Sequence, residues 1–142
     1  MAGAFLQPLL DATPPIPVHA TVAVAVAGLG TWQVIATKGT RRHRVVGWLF
    51  VLGMTYVALS ALFISELRTW GYFSPIHLLI PVTLFSLWVS VRDARRGDIK
   101  AHARGMISLF VLAVVVTGLF TLMPGRVLHK VFFPVAIEGD SR

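Results

Sequence analysis

The residues best suited to chemistry in this chain are histidines that recur at matched positions. Pro17-Val18-His19 and Pro75-Ile76-His77 are separated by 58 residues, and the same offset relates Gly39 to Gly97, Gly47 to Gly105 and Arg68 to Arg126. His43 and His102 follow the same plan with a slip of one residue. Two neutral imidazoles from facing helices are the ligand set of a six-coordinate b-type haem. With both axial positions filled, such a group suits electron transfer rather than oxygen chemistry. Its propionates need cations, and Arg68 and Arg126 share the repeat offset with His19 and His77. Those four residues form the most specific polar constellation in the chain.

Other uses of the same residues stay open. His129, with His19 and His77, would make a three-histidine zinc or copper site, although it has no mate in the repeat. An anion or a quinone headgroup is a further occupant for the cluster of His19, His77, Arg68 and Arg126. The plainest alternative gives them no ligand. A histidine near the end of a membrane span sits among headgroups, and an arginine there snorkels to phosphates.

The elements that must position these residues follow from composition. The chain has 142 residues, of which 56% are hydrophobic and only 13% charged. Four apolar segments, at roughly 17–36, 45–65, 75–92 and 105–123, approach the ~20 helical residues that cross a bilayer. Ten-residue alternating strands are missing, which excludes a transmembrane barrel. The expected fold is all-α: one integral membrane domain over 1–142, a polytopic four-helix bundle. No Cys is present, so disulfides, thiol catalysis and thiolate metal sites are excluded.

Charge gives this bundle a direction. The net +7 resides in two segments, 37–44 at +4 and 92–104 at +3, while the other charges cancel. Lys and Arg gather in cytoplasmic loops. Both basic segments are therefore assigned to the inner side and both termini to the outer side. Trp32, Trp48 and Trp88 then fall near the inner interface, and Trp70 and Tyr72 in the outer loop, depths that amphipathic rings favour. The isoelectric point of about 11.2 does not indicate nucleic acid, because the basic residues flank membrane-length spans and no groove-reading motif is present. Residues 3–12 are expected on the outer surface and lack the basic start of a cleaved signal.

In this frame the repeat describes two tandem helical hairpins, N-out and C-out, related by an axis along the membrane normal. His19 and His77 form an outer layer, and His43 and His102 an inner one. The small residues Ala20, Ala23, Ala27, Gly28 and Gly30 suit close helix contact. Pro81 is expected to kink the third span. Gln33 is a polar group inside a span and hints at function. No Ser/His/Asp or paired-carboxylate arrangement is evident. All six acidic residues lie outside the spans, which argues against a proton-coupled transporter.

The order His19, Lys38-Gly39, His43-Arg44, Gly47, Ile76-His77-Leu78-Leu79, Arg96-Gly97-Asp98, His102, Met106, Pro124-Gly125-Arg126 resembles a family of small bacterial four-helix membrane proteins known only as a domain of unknown function. The resemblance runs from about residue 17 to 133. The two-layer histidine plan is also similar to transmembrane di-haem b cytochromes. That likeness implies His19 and His77 as ligands of an outer haem and His43 and His102 as ligands of an inner one. The spacing between layers is shorter here, and two helices of those cytochromes have no counterpart.

The sequence therefore leads to an electron-transfer module of the bacterial cytoplasmic membrane, carrying haem b. The alternative is a non-catalytic subunit or assembly factor of a larger respiratory or photosynthetic complex. A metal or quinone site on the outer face comes third. The chain is expected to be an electron carrier or accessory subunit more than a stand-alone enzyme, although the metal-site reading would make it one.

Overall fold

The computed structural model describes residues 11–64, 78–116 and 118–119. These residues are all helical apart from turns and short connections. Helix α1 runs Ile16–Ile35, α2 Arg41–Ser60, α3 Leu79–Arg95 and α4 Ile99–Leu109. A 3-10 turn, Ala61–Phe63, extends α2, and a π-helical run, Phe110–Val116, extends α4.

Much of α1 is Val, Ile, Thr and Gly, residues that propagate a helix less well in water than Ala or Leu. In hydrocarbon, unpaired backbone groups cost several kcal/mol, so the helix closes its own hydrogen bonds regardless of side-chain propensity. Helix α1 and the continuous segment Arg41–Phe63 are each long and apolar enough to cross a membrane.

The two described turns are written in local chemistry. Gly39 and Gly97 adopt φ of +78° and +81°, the left-handed region that favours glycine. After α3, Gly97 N–H donates to Ala94 O at 3.2 Å and Asp98 N–H to Asp93 O at 3.0 Å, a Schellman closure. Asp98 then caps α4, its carboxylate accepting from Ala101 N–H at 3.0 Å. Thr40 caps α2 in the same way, accepting from His43 N–H at 3.1 Å. Replacing Thr40 or Asp98 by Ala should each cost about 1 kcal/mol of stability, read as a lower thermal midpoint in detergent.

These caps move the helix starts. Helix α2 begins at Arg41 and α4 at Ile99, several residues before the apolar spans expected at 45 and 105. His43 and His102 consequently lie inside the first turns of their helices. Pro81 falls in the first turn of described α3 rather than in its interior, where the N–H it lacks has no intrahelical partner to lose.

One core joins the four helices. Val26 of α1, Phe50 and Met54 of α2, Leu87 of α3 and Leu109 of α4 are buried together. Phe110 packs beside them, its ring 6.5 Å from that of Phe50 and tilted by 52°. Glycine permits the close approaches. A Cβ on Gly30 would run into the Phe110 ring and meet Phe50, one on Gly53 would strike Val26, and one on Gly105 would strike Ser90. Outside this seam the helices expose large apolar side chains such as Leu52, Phe63 and Phe85. In a membrane that face meets lipid.

Candidate functional site

Both turns, 36–40 and 96–98, lie at one end of the bundle. There Arg95, closing α3, sets its guanidinium 5.7 Å from the ring centroid of Trp48 on α2. His43 and His102, the pair assigned to the inner layer, both lie in the first turns of helices that start at this basic end.

Each of these histidines has a defined setting. His102 reaches back to α3, where its Nδ1 lies 2.9 Å from the Ser90 carbonyl. A carbonyl only accepts, so Nδ1 carries the proton and the Nε2 lone pair is free. The approach is possible because Gly105, one turn further, presents no Cβ toward Ser90. His43 is half-buried, and its Nδ1 is a buried atom without a hydrogen-bond partner among the described residues. Gln33 of α1 donates from Nε2 to the His43 carbonyl at 2.8 Å, while its Oε1 is likewise buried and without such a partner. Gly47 makes room for that amide, since a Cβ there would stand 3.0 Å from Gln33 Nε2.

His19 sits at the other end of the bundle. Its Nδ1 lies 2.7 Å from Ser60 Oγ of α2. Ser60 Oγ also lies 3.1 Å from Val57 O, so its one hydroxyl proton can serve either partner, and the contact holds the His19 ring without fixing its tautomer. Ser60→Ala should release that ring and cost about 1 kcal/mol, checked as a lower midpoint of unfolding in detergent.

His77, Arg68, Arg126 and His129 lie outside the described residues. Of the outer pair and its arginines, His19 alone falls within them. Among the described residues no group of three or more His, Cys, Asp or Glu gathers as a metal site.

Sequence reasoning missed the partners Ser60 and Ser90, although both are polar residues on largely apolar helices, a signal of interhelical contact. A shallow cavity of about 220 Å³ lies between α3 and α4 beside Ser90 and Gly105, with Thr83, Ser86 and Ser108 in its lining. It is smaller than the ~300 Å³ at which ligand pockets usually begin.

The arrangement can do two things chemically. It clasps helices in pairs through Gln33, His19 and His102, and at His102 it favours the tautomer that offers Nε2 to a ligand. Hydrogen bonds that fix a ring in this way are the usual support of a metal-bound histidine.

A family model described as "Predicted membrane protein (DUF2306)" matches residues 16–136. No curated protein and no solved structure matches the chain.

Proposed function

We propose that this chain, which belongs to the DUF2306 family of predicted membrane proteins, is an electron-transfer module that holds b-type haem between paired histidines. The observation that carries the proposal is the setting of His102, whose Nδ1 is bonded to the Ser90 carbonyl on a neighbouring helix and whose Nε2 makes no such bond. His19 Nδ1 is likewise bonded across helices, to Ser60 Oγ. The donor set at the basic end fits such a group, with His102 Nε2 free and His43 Nδ1 buried and unpartnered among the described residues. His43 and His102 would hold the group, and Ser90 and Gly105 are positioning residues that aim the His102 ring. At the opposite end His19 is the corresponding ligand, with His77, Arg68 and Arg126 as its proposed companions.

When bound, the haem iron supplies the one-electron couple. The protein's part is to present two imidazoles, hold the His102 proton on Nδ1 through the Ser90 carbonyl and shield the group from water. No general acid or base is called for, in keeping with a carrier rather than a stand-alone enzyme.

The proposed architecture is a pair of tandem hairpins with the basic end inside and both termini outside the bacterial cytoplasmic membrane. Its support is the matched turns: a left-handed glycine followed by a capping side chain at Gly39-Thr40 and again at Gly97-Asp98. The positive-inside preference supports the direction. Reporter fusions test it: tags at either terminus should report the outer side, and a tag inserted at 38–39 the inner side. The reverse labelling would reject it. Haem extracted from the purified protein, measured against chain concentration, tests the cofactor. Near-stoichiometric haem is expected, and a trace amount after expression with haem precursor would reject it.

A second reading is favoured by the clasps themselves. Gln33, His19 and His102 all bond across helices, which is sufficient to hold a compact helical subunit of a larger membrane complex. In that reading the chain co-purifies with the complex, and deletion destabilises it.

A further inference from the structure

The basic end carries more cation than its carboxylates can balance. Among the described residues the one salt bridge is Arg92 to Asp93, at 3.3 Å. Asp98 is committed to capping α4. Arg95 forms no ion pair with a described carboxylate and rests on Trp48 of α2. A cation laid on an indole face is fixed in place but not neutralised.

That contact joins two exposed helix faces. On α2, Arg44, Trp48 and Leu52 recur at four-residue spacing and share one side. On α3, Trp88 and Arg95 are seven residues apart and also share a side. Arg95 reaches Trp48, so the two faces meet at the basic end. The resulting surface has guanidinium groups at the basic end and Leu52, 61% exposed, further along. Helices α2 and α3 also touch less extensively than α1 with α2 or α3 with α4.

Charge above and a deep apolar wall below, with indoles between, is complementary to one kind of molecule. We propose that the surface where α2 meets α3 holds an anionic phospholipid, its phosphate on Arg95 and Arg44 and its acyl chains along Trp48, Leu52 and Trp88. A free phosphate would use the guanidinium groups and ignore the apolar wall. A neutral lipid would do the opposite. The lipid would bridge the two helix pairs at the seam where direct contact is least. This inference does not depend on haem and survives its failure.

The test uses the full chain in mild detergent and lipids with brominated acyl chains, which quench tryptophan on contact. Brominated phosphatidylglycerol should quench at about fivefold lower mole fraction than brominated phosphatidylcholine, since one well-placed cation contributes roughly that preference. Trp48→Phe should remove a large part of the quenching. Arg95→Gln should erase most of the preference, whereas Lys100→Gln, on α4 away from this surface, should leave it. Inorganic phosphate at millimolar concentration should compete weakly. Equal quenching by the two lipids would overturn the proposal. So would equal losses in Arg95→Gln and Lys100→Gln, which would mean diffuse surface charge. Full competition by inorganic phosphate would reduce the site to an anion site and overturn the lipid assignment.

Discussion

Gly30→Val should destabilise the protein by about 3 kcal/mol, near the upper end for overpacking a filled core. A Cβ at this position meets the Phe110 ring edge and the Phe50 ring together. Neither ring can retreat cheaply. Phe50 is buried in the shared core with Val26, Met54, Leu87 and Leu109, and Phe110 packs against the same cluster. Because Phe110 opens the π-helical run at the end of α4, pushing it also disturbs the contact between α1 and that run. Gly28 supplies the control. It lies two residues earlier on the same helix but faces open space, with nothing within 4 Å of where a Cβ would stand. Gly28→Val should therefore change stability by less than about 0.5 kcal/mol, as surface substitutions usually do. Thermal unfolding in one detergent, followed by circular dichroism, compares the two. Similar midpoints for both variants would show that the seam between α1 and α4 is not packed as described.

Substitution of His102 should separate the two roles that its ring combines. His102→Ala removes both the clasp to Ser90 and the proposed axial ligand. It should abolish haem at the basic end and also cost about 1 kcal/mol of helix association. His102→Gln keeps an amide donor for the Ser90 carbonyl but has no imidazole. It should retain near-parental stability and lose the haem. His43→Ala should lose the haem as well, because a six-coordinate site needs both rings. If His102→Gln kept its haem content, His102 would be a clasp and not a ligand. Matching stability losses in the Ala and Gln variants would show instead that the amide does not replace the clasp.

The helical, membrane-embedded character of the fold was legible because hydrophobic length and charge placement act on the whole chain. Four apolar segments and two basic turns are enough to indicate helices α1 to α4 and the end they share. Helix starts were less legible, since Thr40 and Asp98 extend α2 and α4 through polar residues that hydropathy reads as loop. The histidines at the basic end could be placed from their spacing, and His43 and His102 do lie in the first turns of helices that start there. Their settings could not be read in the same way. Ser60 and Ser90 become partners only through helix rotation, which a single serine in an apolar run does not specify. The role of Gly105 depends on which residue of α3 faces it, and the π-helical run at Phe110 has no clear sequence mark. Gln33 shows both sides of this. Its polarity inside a span was visible, but its bond to the His43 carbonyl depends on Gly47 lacking a side chain.

Whether paired imidazoles in this bundle hold a redox-active haem is tested most directly by a reduced-minus-oxidised optical spectrum. The protein is purified in mild detergent from cells supplied with haem precursor. The predicted result is the sharp difference bands of a six-coordinate, low-spin b-type haem, with the share from the basic end missing in His102→Gln. A flat difference spectrum from folded, monodisperse protein would contradict the haem assignment.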